Sequence, residues 1–213
     1  ETGRAGRDGG EGHCLAYYSY KDVEKLEKFL SGKPVAEQEI GFALLQEVVA
    51  YAETSMSRRK FLLHYFGEEF DNETGEGGDM DDNVRNPKVK VEAQKQVVKL
   101  LEVVRDTKHI YKSKEVVFTL IGRVNAVIKA HRTDVQSFFG SGTDHDEKYW
   151  MALLRQVLVD GLLSKDIETY GVVKITKKGL DFIKKPSSFM MSEDHEYNES
   201  EDEAIVTAAK GSG

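Results

Sequence analysis

The chain has 213 residues, 39% of them apolar, with one Cys, three Pro and 30 Lys+Arg against 37 Asp+Glu. The lone Cys excludes a disulfide scaffold, no uncharged apolar run approaches the roughly 20 residues a spanning helix needs, and the charged, Gly-rich start does not read as a secretory signal. The composition suits a soluble intracellular protein of one or two small domains. The formal charge of -7 is unevenly spread: Glu1–Pro87 carries 10 basic and 18 acidic residues, Lys88–Lys185 carries 19 and 12, and Pro186–Gly213 carries 1 and 7. The middle block is therefore the candidate for an anionic partner, because screening confines each field to about 10 Å at moderate salt.

Glu1–Gly12 is rich in Gly and Arg and packs no core. The aromatic run Cys14–Tyr20 reads as a short strand, and Asp22 is placed to cap a helix carrying Val23, Leu26, Phe29 and Leu30, ended by Gly32 and Pro34. A strand feeding a helix reads as the last piece of an α/β lobe. Ala36–Tyr51 and Ser57–Phe66 carry apolar stripes and should form an antiparallel helix pair, whereas acidic, Gly-rich Gly67–Pro87 reads as a loop. Val91–Val104, Lys114–Ile128 and Thr133–Phe139 follow as helices, with Gly140-Ser141-Gly142 as a turn. Asp144–Asp160 places Trp150, Leu153, Leu154, Val157 and Leu158 on one helical face and stops at Gly161. Leu162–Glu168 and Gly171–Thr176 alternate around Thr169-Tyr170-Gly171 as a β-hairpin, Lys177–Ile183 closes with a short helix, and Ser192–Ala209 reads as an acidic solvated tail.

Three helices followed by a two-stranded hairpin is the order of a winged helix, a helix-turn-helix variant. The expected fold class is mainly α with a small β-hairpin: a helical-hairpin subdomain plus a winged helix, preceded by the α/β remnant. The expected boundaries are 1–33 for the remnant, 34–87 for the helix pair, 88–186 for the winged helix and 187–213 for an acidic disordered tail.

Glu1 to Gly10 places Arg4 and Arg7 three residues apart among glycines. Such guanidiniums can neutralise charge that spreads onto phosphoryl oxygens during nucleotide hydrolysis, though a Gly/Arg loop also serves as a flexible or phosphate-contacting segment. Ser113, Lys114, Arg123, Arg132, Ser141, Thr143, Lys148, Lys165 and Lys174 fall on expected helix starts, turns and the hairpin, where hydroxyls and cations suit phosphate contacts. Against this, any one of these lysines can be plain solvated surface, and Trp150 shares its face with core leucines. The six His are scattered without metal spacing, no nucleophile elbow accompanies Ser, His and Asp, and no Gly-x-x-x-x-Gly-Lys-Ser/Thr loop is present to cradle ATP.

The string Thr2-Gly3-Arg4-Ala5-Gly6-Arg7-Asp8-Gly9 resembles the sixth motif of superfamily 2 helicases, in the wording of the RecQ family. Ala16–Asp22 resembles the strand-helix junction ending that family's second RecA-like lobe. Ser57-Arg58-Arg59-Lys60-Phe61 and the residues to Glu68 are similar to the helix opening its zinc-binding subdomain. Phe139-Gly140-Ser141-Gly142 with Trp150 and Leu154-Arg155-Gln156 resembles its C-terminal winged helix. The likeness runs in family order from Glu1 to about Lys185 and implies that the chain is a fragment of an ATP-dependent, 3′-to-5′ DNA helicase. It implies Arg7 as the arginine finger with Arg4 its partner, ATP and Mg2+ for the whole protein, and a fragment without ATPase activity of its own. It also implies duplex or fork DNA as a partner without sequence preference, with Tyr170 at a wing tip that in some members pries bases apart.

The pattern departs at the zinc site. The family's four Cys correspond here to Ser57, about Gly78, Asp81 and Val84, none of them a thiol, and Cys14 lies far off in sequence. Zinc is therefore expected to be absent, with the helix pair held by apolar packing, and the Glu73–Asp82 carboxylates read as a solvated loop because their spacing fits an EF-hand poorly. The resemblance further implies the acidic C-terminus of single-stranded-DNA-binding protein as a second partner and, for a bacterial protein, a cytoplasmic, nucleoid-associated location without membrane contact. Two other readings stand beside it: a stand-alone winged-helix transcription regulator, which would read base edges, and a winged helix serving mainly as a protein-interaction module.

Overall fold

The computed structural model describes residues 9–10, 12–68, 80–166 and 171–197. Arg4, Arg7 and Tyr170, named above as site residues, lie outside them, as does most of the acidic run from Glu73. The chain divides into two compact units, one formed by residues 1–53 with 196–213 and the other by residues 54–195.

In the first unit, helix α1 (Tyr20–Ser31) packs against α2 (Val35–Glu53). Ser19 caps α1, its Oγ accepting from the Lys21 amide at 3.2 Å, so Asp22 sits inside the first turn and pairs with Lys25 rather than serving as the cap. Gly41 lets the two helices approach closely: a Cβ there would come within 2.4 Å of Leu30 Cδ2 and would have to push that side chain aside. The strand expected over Cys14–Tyr20 is not formed; residues 12–19 have no regular structure. An aromatic run becomes a strand only when a neighbour takes its backbone hydrogen bonds, and no β partner for it occurs among the described residues.

The second unit opens with α3 (Arg58–Tyr65), capped by Ser57, and the single turn α4 (Asp82–Arg85), which interrupts what reads in sequence as loop. Within the first unit α2 lies on α1, and within the second α3 lies on α8. Next come β1 (Lys90–Glu92), α5 (Gln94–Asp106), α6 (Ser113–Ile121), α7 (Ala126–Ala130), a 3-10 turn at Thr133–Val135, and α8 (Glu147–Val159). The hairpin β2 (Leu163–Asp166) and β3 (Val172–Ile175), helix α9 (Lys177–Lys184) and β4 (Met190–Ser192) complete the unit.

The expected helix 114–128 is two helices, because Gly122 takes the left-handed conformation (φ 71°) and ends α6. The expected helix 133–139 is only the 3-10 turn followed by further turns. The core joins α5, α6, α8 and the hairpin: Val97, Leu100, Val104, Val117, Leu120, Trp150, Leu153, Val157 and Val173 are all fully buried. Residues 187–197 depart from the expected disordered tail. β4 pairs antiparallel with β1 (Lys90 with Ser192, Val91 with Met191, Glu92 with Met190), and Phe189 and Met191 are buried in the same core. Burying those two apolar side chains offsets the entropy of ordering a short acidic segment.

Candidate nucleic-acid interface

Antiparallel pairing within the hairpin sets Leu163 opposite Ile175, Ser164 opposite Lys174, Lys165 opposite Val173 and Asp166 opposite Val172. β3 then reaches a third segment, the residues just before α6: the Val173 amide donates to the Tyr111 carbonyl at 2.8 Å, and Lys112 forms an isolated bridge with Val172. The base of the wing and the start of α6 are thereby one piece of backbone. Ser113 opens α6 without any side-chain cap, leaving first-turn amides in the geometry that receives anions.

Tyr111 organises the neighbourhood. Its ring is buried, its hydroxyl is hydrogen-bonded to Thr133 Oγ1, and His131 packs edge-on with ring centroids 5.8 Å apart. Between those two contacts lies Arg132, exposed and held at φ 54°, a left-handed conformation that non-glycine residues rarely adopt. Tertiary contacts thus tie the turn that carries Arg132 to Tyr111, which leads into Lys112, Ser113 and Lys114. Lys112, Lys114, Lys129 and Arg132 are exposed, and none is in an ion pair with a described residue.

A second group lies along α6. Lys114 Nζ is 5.4 Å and Arg123 Cζ 4.9 Å from the centroid of the Phe118 ring, so one aromatic surface holds cations from both ends of the helix. Arg123 also pairs with Glu147, in the first turn of α8, which lowers its value as a phosphate contact. The Gly140–Thr143 loop is pinned to the end of α6 by bonds from the Gly140 amide to Thr119 O (2.8 Å) and from the Gly142 amide to Leu120 O (2.7 Å). Trp150 Nε1 donates to Gly142 O at 2.7 Å. This loop presents Thr143 to solvent, whereas Ser141 Oγ is buried without a hydrogen-bond partner. Lys148 is exposed next to Glu147.

Lys165 and Lys174 occupy opposite faces of the hairpin, because adjacent register positions alternate. Lys174 is paired with Asp166 and Lys165 is exposed. The named donors therefore divide. Ser113 and Lys114 start α6 at the wing base, and Arg132 lies on the turn joined to Tyr111; Arg123, Ser141, Thr143 and Lys148 lie toward the far end of α6; Lys165 is on the hairpin. Lys112 and Lys129 were not singled out in the sequence. Lys112 precedes the helix whose start carries Ser113, and only the bridge to β3 reveals its place.

The helix in the recognition position, α8, is covered. Trp150, Ala152, Leu153, Leu154, Gln156, Val157 and Leu158 are buried. Its remaining side is occupied by α3 and by the segment after α9. Lys60 Nζ binds Asp160 at 3.0 Å, just past the helix end, and Arg155 pairs with Asp194 with both side chains about 16% exposed. Gln156 Nε2 donates to Ser192 O at 2.7 Å while its Oε1 accepts from the Ser192 amide at 3.2 Å. Only the N-terminal turn, with Glu147 and Lys148, is open to a large ligand.

Two groups near this turn are held in opposite states, one charged and one neutral. Burial works against the Asp144 carboxylate, but the Lys99 ammonium at 3.1 Å and neighbouring His145 outweigh it and hold its pKa below the usual range. Burial, together with Asp144 and Glu193, pushes the Tyr149 hydroxyl up to about 12, so it remains a proton donor at working pH.

Zinc is tested on the donors present. Ser57 Oγ donates to Asp81 Oδ2 at 2.9 Å, Asp81 Oδ1 accepts from the Val84 amide at 3.0 Å, and Val84 has no donor atom; the position near Gly78 lies outside the described residues. A hydroxyl and a carboxylate already bonded to each other, beside an aliphatic side chain, do not fit a closed tetrahedral zinc site. Among the described residues no group of three or more His, Cys, Asp or Glu is placed to hold a metal ion.

A three-helix unit with an antiparallel hairpin and a covered third helix defines a winged helix. Residues 87–200 match the RQC domain family model and residues 20–83 the RecQ zinc-binding model. The chain is similar to the ATP-dependent DNA helicase RecQ of Pasteurella multocida, 28% identical over 172 residues (78% of this chain, 26% of that protein). It is also similar to the ATP-dependent helicase SGS1 of Saccharomyces cerevisiae, 32% over 117 residues (50% and 8%), and to the ATP-dependent DNA helicase hus2/rqh1 of Schizosaccharomyces pombe, 47% over 74 residues (33% and 6%). It spans about a third or less of the length of the curated relatives it matches. With more than half of its length in the first match, the chain belongs to the RQC domain family, as a C-terminal region of RecQ type.

Proposed function

We propose that this chain is the DNA-binding C-terminal region of a RecQ-like ATP-dependent helicase and that it grips duplex or fork DNA by the sugar-phosphate backbone. Lys112, Ser113, Lys114 and Arg132 at the wing base would make the principal contacts, with Thr143, Lys148 and Lys165 extending them. The observation that carries the reading is the cover on α8. A regulator that reads base edges needs an exposed recognition helix in the major groove, and here Arg155 and Gln156, the polar side chains midway along α8, are tied to Asp194 and Ser192.

In the whole protein, ATP hydrolysis with Mg2+ between two motor lobes would drive 3′-to-5′ movement, with Arg7 and Arg4 facing the nucleotide. The donor chemistry at Ser57, Asp81 and Val84 supports a region that carries no stoichiometric zinc. The acidic C-terminus of single-stranded-DNA-binding protein would compete for the same cations and should be displaced by duplex.

The test is fluorescence anisotropy with a forked duplex across a salt series. Affinity should fall steeply with salt and be indifferent to sequence. Lys114→Glu and Arg132→Glu should each weaken binding about tenfold and flatten the log-log salt slope by about 1. A tenfold preference for one duplex sequence, or unchanged binding by both variants, refutes the reading.

A further inference from the structure

The family's metal cross-link and this chain's side chains disagree, and the residues that stand at the ligand positions are nonetheless joined. We propose that a hydrogen-bonded clasp centred on Asp81 replaces the zinc cross-link, tying the start of α3 to α4 and, through α4, supporting α8 without a metal. This deepens the zinc-free reading above.

Two of the positions corresponding to cysteine ligands, Ser57 and Asp81, are 24 residues apart in sequence and in direct contact at 2.9 Å. Each is the N-cap of a helix: Ser57 Oγ accepts from the Lys60 amide at 3.3 Å, and Asp81 Oδ1 accepts from the Val84 amide at 3.0 Å. Asp81 Oδ2 also accepts from the Arg58 amide at 3.1 Å. One carboxylate thus takes up a backbone amide from the start of α3 and another from the turn of α4.

The neighbouring residues reinforce the join. Arg58 grips Asp82 bidentately, Nε to Oδ1 at 2.5 Å and Nη2 to Oδ2 at 2.9 Å. Asn83, 4% exposed, donates to the Thr54 and Met56 carbonyls, both at 2.7 Å. Its Oδ1 accepts from His195 Nε2 at 2.7 Å, beside the Asp194 that pairs with Arg155 of α8. A metal would hold these two chain segments by coordination; here charge-assisted and buried hydrogen bonds, which are strong for their kind, span the same separation. The arrangement leaves Asp81 with no role as a solvated loop acid.

The full chain is purified with zinc supplied, and metal content and thermal unfolding with and without EDTA are measured. Zinc below 0.1 equivalent and a midpoint unmoved by EDTA are expected; stoichiometric zinc, or a midpoint lowered by EDTA, overturns the zinc-free reading and the clasp with it. For the clasp itself, Asp81→Ala should lower the midpoint by roughly 5 °C and Ser57→Ala by roughly 2 °C. The double variant should fall by less than the sum of the two single effects, because the Ser57–Asp81 bond is lost in both while the Ser57 bond to the Lys60 amide is lost only with Ser57. Should Asp81→Ala fail to fold, Asp81→Asn with Ser57→Ala supplies the same cycle. Additive or absent effects in a zinc-free protein overturn the clasp while leaving the zinc-free reading standing. An Asp81 variant that folds should keep the wild-type salt slope for fork DNA, and a changed slope would show that Asp81 acts on the DNA surface instead.

Discussion

Replacing Gly142 by Ala probes whether the loop that carries Thr143 is built on the core or merely laid over it. Gly142 is not in a left-handed conformation, so Ala costs nothing in backbone strain, and the effect is one of space. A Cβ would lie 2.7 Å from Trp150 Cζ2, 2.8 Å from Cε2 and 3.0 Å from Leu120 Cβ, all closer than van der Waals contact allows. Trp150 is fully buried and its Nε1 is bonded to the Gly142 carbonyl, so the ring cannot yield without losing that bond. Overpacking of this kind costs about 1–3 kcal/mol and the lost hydrogen bond about 1 more. At roughly 2–4 °C per kcal/mol for a chain of this size, the midpoint should drop by about 4–16 °C. Trp150 is the one tryptophan in the sequence, so its fluorescence reports both the unfolding and the local geometry. The folded variant should emit further to the red than wild type, and its duplex affinity should fall because the Gly140–Thr143 loop is displaced. A midpoint within 1 °C of wild type with unshifted emission would refute the packing on which the placement of Thr143 rests.

Other outcomes follow from individual contacts. Asp166→Asn releases Lys174 from its ion pair and removes a negative charge from the wing; duplex affinity in the anisotropy assay should rise roughly two- to fivefold, and more so at low salt. Gly179→Ala forces a Cβ to 2.2 Å from the Leu162 carbonyl oxygen, a backbone atom that cannot swing aside. The variant should unfold well below wild type in circular dichroism or be recovered insoluble. Burial, aided by Lys88 and Arg58, lowers the pKa of His195 from 6.5, so the native state holds the neutral ring and the unfolded chain binds the proton first. Stability should therefore decline as pH falls from 6.5 toward the lowered native value, and His195→Gln should remove that part of the decline in a pH series of thermal midpoints.

What could be read from sequence was what is local. The Trp150, Leu153, Leu154 and Val157 stripe of α8 is buried as its spacing requires, and Gly161 ends that helix in a left-handed conformation (φ 72°). The hairpin follows from alternation over four residues on each strand. Strand β4 was illegible because Phe189, Met190 and Met191 lie among acids and hydroxyls, and their partner β1 is about 100 residues earlier in the chain. Cys14–Tyr20 shows the converse, since aromatic content reads as a strand only if a sheet is there to receive it. Of the candidate contacts, Ser113 and Lys114 are legible as a helix start. The turn that carries Arg132 is tied to Tyr111 by the bond between Tyr111 and Thr133 and shaped by a positive φ, neither of which leaves a local signature.

The competition between readings of the winged helix turns on one ordering of energies. Exposing α8 to a DNA groove would mean stripping Arg155 from Asp194 and Gln156 from Ser192, and breaking a largely buried ion pair alone costs about 3–5 kcal/mol. A bidentate base contact returns about 1–3 kcal/mol, so base reading by α8 is disfavoured whatever the sequence of the duplex. The wing base faces no such opposition. Lys112, Lys114 and Arg132 are already in water, and each phosphate they neutralise releases condensed counterions without disturbing the core. The same residues that close over α8, Lys60 from α3 and Ser192 and Asp194 from the segment after α9, come from parts of the chain outside the three-helix unit. Under the proposed function, binding that ignores sequence would be a consequence of how the subdomain and the last strand pack, and not of any weakness in the basic surface.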